Sequence, residues 1–185
     1  MKRLLILILA LTALTFNAEA KRKVYNYHSP KYWGNIELLG GTVFSGGSNI
    51  GISTVHGYCL GHGVSMGLGL GVYMDINEMY YLYTVPMFLE TKYSPLKKGA
   101  SPFVSLRTGF NITDGLGTGF HLSPALGIDI KRFSLFVRYG FNLFPVSVDI
   151  DFPDENIDVT TTANLKLHSL SIGFAVNFYK RRYLN

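Results

Sequence analysis

Charge is what this sequence has least of. Only 16% of its 185 residues are Asp, Glu, Lys or Arg, while 48% are hydrophobic. An ordinary soluble protein carries roughly 25% charged residues. A chain so poor in charge is buried, aggregates, or is solvated by something other than water. Long apolar runs are missing too. After the N-terminal segment no run of ~18 apolar residues occurs, so nothing beyond it can cross a bilayer as a helix. The single cysteine, Cys59, excludes an intramolecular disulfide, the usual staple of secreted domains. It reads as a small packed residue rather than a reactive thiol. What is abundant is glycine, with 20 residues, and phenylalanine and tyrosine, with 13 and 12. Together these features suit one domain that spans a membrane with an apolar face interrupted at every second residue.

The formal net charge of +5 comes from bases at strand ends and in turns, not along one face. That distribution argues against nucleic acid as a partner.

The first segment is an address. Lys2 and Arg3 precede the apolar run from Leu4 to Leu14, and Ala18-Glu19-Ala20 supplies an A-x-A cleavage site. A permanent anchor needs a longer apolar stretch. No cysteine follows the cut, so no lipidated N-terminus is expected. Residues 1–20 are read as a cleaved signal peptide, with the mature chain starting at Lys21 and residues 21–32 forming a short periplasmic lead-in.

Beyond it the pattern has period two. Near the C-terminus Leu170, Ile172, Phe174, Val176 and Phe178 fall on one face, opposite Ser169, Ser171, Gly173, Ala175 and Asn177. Successive strand residues point to opposite sides, so this segment is a strand with one greasy face and one small polar face. Segments 64–75, 119–130 and 133–143 alternate in the same way. Four more, at 33–44, 49–59, 82–93 and 102–112, bring the count to eight, each near the ~9–11 residues that cross a bilayer at a tilt. Helix is disfavoured because glycines recur inside the apolar segments.

The predicted fold is therefore all-β: an eight-stranded antiparallel up-and-down transmembrane β-barrel over residues 33–179. The polar faces carry Gly, Ser, Ala and Asn, which fit a narrow interior, and the apolar faces turn to lipid. Closure removes the strand edges that a bilayer cannot satisfy. Links alternate between short ones (61–63, 131–132, 94–100) and longer ones (45–48, 76–81, 113–118, 144–166). That alternation predicts periplasmic turns, outer loops and both termini in the periplasm. Residues 144–166 are expected to form a long acidic outer loop, and 180–185 a basic tail.

The segments STVHGY (53–58), VPMFLETKYS (85–94), SPFVSLRTGF (101–110) and LSPALGI (122–128) resemble the small outer-membrane barrels of the OmpX/OmpA-like family. The stretch from Ser171 to Phe178, with Gly173, Phe174, Val176 and Phe178, is similar to the last-strand assembly signal of such proteins. Here residues 179–185 follow it, whereas the signal usually ends the chain. The resemblance covers the mature chain and implies an integral outer-membrane protein in contact with membrane lipids, lipopolysaccharide and the barrel assembly machinery. It does not specify an activity, since one fold hosts many functions.

Three groups of residues are candidates for chemistry. His121 and Ser123 form an H-x-S pair that resembles that of the lipid A deacylases, also eight-stranded barrels. Nucleophilic catalysis needs a base beside the nucleophile and an acid that orients the base. Here both residues point into the lumen with Asp129, no glutamate follows at a comparable distance, and Pro124 comes next. They read as lumen-lining polar residues. His168 and Ser169 are adjacent and face opposite sides, so they cannot act as such a pair. Glu90, Lys92, Arg107, Asp129 and Arg138 share the polar faces of strands 4 to 7. Charges this deep pair or meet water, and the expected pairs are Glu90 with Arg107 and Asp129 with Arg138. A packed salt-bridge core is preferred to a selective pore, because eight strands leave an interior that side chains fill.

Finally, Asp149, Asp151, Asp154, Glu155 and Asp158 lie close together. Their spacing departs from an EF-hand, with Pro153 at the third ligand position. Alternation of Val146, Val148, Ile150 and Phe152 with Ser147, Asp149 and Asp151 suggests a projecting hairpin whose edge captures a surface protein partner. Phe44, Tyr80, Tyr81, Tyr83, Tyr93 and Tyr139 suit interfacial girdles. No cofactor or catalytic activity is expected. The expected role is structural or adhesive, with a lipid A-modifying enzyme or a small pore as alternatives.

Overall fold

A strand with one apolar and one polar face can satisfy its backbone only between two neighbours, and eight such strands do so here in a ring. The computed structural model describes residues 30–77, 81–96, 100–152 and 157–179. The expected signal peptide with Ala18 and Ala20, residues 21–29 of the expected lead-in and the tail 180–185 lie outside the described residues. The strands are β1 (Lys31–Val43), β2 (Ser48–Gly61), β3 (Val64–Ile76), β4 (Tyr81–Tyr93), β5 (Ala100–Thr113), β6 (Gly117–Ile130), β7 (Phe133–Phe152) and β8 (Ile157–Tyr179). Each pairs antiparallel with the next, and β8 pairs with β1 to close the barrel.

The register sets the shape. A path across paired residues runs Lys31, Cys59, Ser65, Lys92, Ser105, Ala125, Arg138 and Ser171, and returns to β1 at Gly41. The return is offset by ten residues along β1, a stagger that tilts the strands by roughly 35–45°. Strands of 13 or 14 residues rising ~3.3 Å each at that tilt cover the ~30 Å of a bilayer core.

The outward face is apolar on all eight strands. Leu38, Ile52, Leu68, Leu89, Leu106, Leu126, Val137 and Ile172, one from each, are exposed, with Leu68 at 71% and Ile172 at 69%. Among the described residues no Asp, Glu, Lys or Arg lies on this face between the two ends of the barrel. Water does not stabilise a belt of this kind, whereas lipid does.

The interior corrects one expectation. It is lined not only by small residues but also by Trp33, Phe88, Phe103, Phe136 and Phe144, all buried. Inward glycines on neighbouring strands make room for them. A Cβ at Gly69 would run into Phe88, and one at Gly173 into Phe136. At Gly119 the obstacle would be Phe144.

The links correct a second. Residues 44–47, 77–80 and 114–116 are links of only three or four residues, because the strands run further than their apolar pattern shows. The predicted loop 144–166 is largely strand, as the alternation of Val146, Val148, Ile150 and Phe152 suggested. β7 and β8 continue as a paired ribbon up to Phe152 and Ile157, leaving only residues 153–156 between them. β1 likewise begins two residues before the predicted start, at Lys31. Both chain ends of the barrel lie at the end that carries the links 62–63, 94–99 and 131–132, called the turn end below; the opposite end is the loop end.

Candidate functional sites: the charged lumen and the projecting ribbon

Period two sends Glu37 of β1, Glu90 and Lys92 of β4, Arg107 of β5, Asp129 of β6 and Arg138 of β7 into the lumen, where all six are buried. Three acids meet three bases, so this buried set is neutral. Arg107 lies at the centre. Its Nη1 and Nη2 donate to Glu37 Oε1 and Oε2 at 2.9 and 2.8 Å, and its Nε and Nη2 donate to Glu90 Oε2 at 3.1 and 2.9 Å. Arg138 Nη1 reaches the same Glu37 Oε1 at 2.6 Å. Nearer the turn end, Lys92 Nζ donates to Asp129 Oδ1 at 2.7 Å, and the hydroxyls of Ser94 and Ser134 also donate to that carboxylate.

Every lumen cation also stands over an aromatic ring. Arg107 lies 4.2 Å from the Phe88 centroid, Lys92 3.9 Å from Phe103, and Arg138 4.7 Å from Phe136. The face of each ring attracts the cation. The layers therefore run from glycine backbone to flat ring, cation and carboxylate.

The predicted set Glu90, Lys92, Arg107, Asp129 and Arg138 thus lies together in the lumen, with Glu90 paired to Arg107. The expected pair of Asp129 with Arg138 does not form. Ser134 is the residue opposite Asp129, and Arg138 lies four residues further up the strand, roughly 13 Å away along it. Lys92, two strands away, takes Asp129 instead. Glu37 was missed. Its signal was a lone acid between Ile36 and Leu38, on the polar face of β1 with Asn35.

Towards the loop end the lumen opens into a polar cleft with a cavity of about 30 Å³, lined by Asn49, Asp75, Asn111, His121, Ser123 and Asn142 among others. That is room for about two water molecules. His121 Nδ1 lies 2.7 Å from Asn142 Oδ1, which also accepts from Asn111 Nδ2 at 2.6 Å. Ser123 Oγ donates to the Tyr139 carbonyl at 3.1 Å. The H-x-S residues are both buried here and bonded to other partners. His168 points the other way. It stacks on Phe44 and lies beside Tyr139 and Phe141, with Tyr139 Oη 2.5 Å from its Nδ1, in an aromatic cluster on the outer wall.

The second site is the ribbon. β6–β7 pairing runs to Phe120↔Leu143 and β8–β1 pairing to Val43↔Ser169. Above those points β7 and β8 pair with each other, from Phe144↔Leu165 to Phe152↔Ile157. Asp149, Asp151 and Asp158 sit on its strands at their register positions, whereas Asp154 and Glu155 lie outside the described residues. At the closing seam, Gly173, Phe174, Val176 and Phe178 belong to the part of β8 that pairs with both β1 and β7 or lies at its end.

No protein-family model matches the chain, and no curated protein sequence does. Among solved structures, the outer membrane enzyme PagL is similar, with a TM-score of 0.56 at 10% identity over 77% of this chain and 98% of that one. The N-terminal β-barrel domain of Pseudomonas aeruginosa OprF (TM-score 0.42, 16% identity, 81% and 100% covered) and the outer membrane protein AlkL (0.45, 12%, 92% and 100%) also align. The likeness to PagL establishes the fold: an eight-stranded barrel of the outer-membrane type.

Proposed function

We propose that the protein is an integral outer-membrane barrel with a structural and surface-interaction role, its contacts made by the β7–β8 ribbon. The observation that carries this reading is that ribbon. Two strands of 20 and 23 residues outgrow neighbours of 13 or 14, and they pair only with each other above the barrel. An unaccompanied strand edge presents unpaired N–H and C=O groups to which a partner strand can add. A lumen filled by paired charges and aromatic rings supports a scaffold over a conduit. With both termini in the periplasm, the ribbon projects from the cell surface. The apolar wall contacts membrane lipids and lipopolysaccharide, and the last strand is the segment the barrel assembly machinery reads.

The test is to delete residues 148–160 and rejoin the strands with a short turn. The shortened protein is expected to fractionate with the outer membrane and to keep a heat-dependent gel mobility, while cells carrying it lose adhesion to host matrix or to one another. Adhesion equal to that of the full-length protein overturns the reading.

A further inference from the structure

Apart from the six buried lumen charges, the ionisable residues are sorted by sign along the barrel axis. At the loop end the described residues carry Asp75, Asp114, Asp149, Asp151 and Asp158, and Lys166 is the base there. At the turn end they carry Lys31, Lys131 and Arg132 and no acid. The sequence continues the trend on both sides. Lys97 and Lys98 fall in the link 94–99, Lys180, Arg181 and Arg182 follow β8, and Lys21, Arg22 and Lys23 precede β1, again with no acid among them. Asp129, the acid nearest this end, is buried in the lumen against Lys92.

The depth of these bases indicates what they meet. The β6–β7 turn reads Ile130-Lys131-Arg132-Phe133, and both flanking apolar side chains are exposed on the lipid-facing wall. Lys31 shares the inward parity of Trp33, opposite the buried Cys59, and stands at the mouth of the lumen. Lys131 and Arg132 therefore sit one residue past the edge of the apolar belt, at headgroup level, where long cationic side chains lay their stems on apolar surface and hold their charge in the polar layer. Lys131 also occupies a left-handed backbone position, with φ 58°, that Gly or Asn would fill more easily. The turn is held in place by the Arg132 carbonyl, which accepts from the Asn177 backbone N–H at 2.6 Å.

We propose that the turn end is a binding rim for the anionic headgroups of phospholipids in its own leaflet, with Lys131 and Arg132 as contacts. Charge near such a leaflet attracts basic residues over about a Debye length, so the preference is screened by salt. The inference rests on the apolar wall facing lipid, and the experiment tests that separately.

The folded mature barrel in detergent is titrated with short-chain phosphatidylglycerol or phosphatidylcholine, and retained lipid is read by native mass spectrometry. Wild type is expected to retain phosphatidylglycerol several-fold over phosphatidylcholine at low salt. The variant Lys131→Gln/Arg132→Gln should lose most of that preference while keeping its heat-dependent gel shift, and Lys166→Gln should keep it. Equal retention by wild type and double variant overturns the proposal, as does an equal loss in Lys166→Gln. If the double variant loses co-sedimentation with purified peptidoglycan but keeps the lipid preference, the rim serves a polymer and the proposal fails. Absence of any lipid retention together with a missing gel shift would instead indict the membrane reading itself.

Discussion

Glu37 and Arg107, separated by 70 residues in sequence, meet as a carboxylate and a guanidinium fork in the middle of the barrel, at 2.9 and 2.8 Å. The same carboxylate also receives Arg138. One acid of the first strand thereby ties the fifth and seventh strands across the lumen. In a buried setting the loss of a shared partner costs more than the pair itself contributes, because the remaining charges stay desolvated.

Glu37→Gln is accordingly expected to destabilise the barrel by ~3–5 kcal/mol, since it leaves Arg138 without its carboxylate and Arg107 with one of two. Glu90→Gln should cost less, because Arg107 keeps the bidentate contact to Glu37. Equilibrium unfolding by urea in lipid vesicles measures both. Equal costs would refute the central role of Glu37.

The contact between Gly173 and Phe136 predicts a rescue. Gly173→Val places a side chain where the Phe136 ring lies, and overpacking of this kind costs roughly 1–3 kcal/mol. Phe136→Ala in the same chain frees the space, so the double variant should be less impaired than the sum of the two single changes. Non-additivity in a double-mutant cycle is the readout.

His121 and Ser123 are held by Asn142 and the Tyr139 carbonyl, respectively. A base that is not bonded to the hydroxyl it must activate lacks the first requirement of nucleophilic catalysis. His121→Ala should therefore leave the acylation pattern of lipid A unchanged by mass spectrometry. A gain or loss of an acyl chain that depends on His121 would establish an enzyme.

The sequence alone determined the strands and their faces. In segments such as 133–143 and 169–178 the side of the sheet taken by each residue follows from its parity, a strictly local property of extended backbone. Eight such segments with lipid-compatible outer faces can close only as a barrel. Strand ends were less legible: the alternation of Val146, Val148, Ile150 and Phe152 signalled that β7 continues, but not that β8 pairs with it over its whole length above the apolar belt. The pairing inside the lumen was decided by tertiary structure. Which residues share a height depends on the ten-residue stagger of the closed sheet, a global quantity that no single strand encodes. It brings Lys92 to Asp129, and both Arg107 and Arg138 to Glu37, across the interior. It also sets glycines beside the rings of Phe88, Phe103 and Phe136, so that large side chains fill a lumen whose polar faces, read one strand at a time, show mostly small residues.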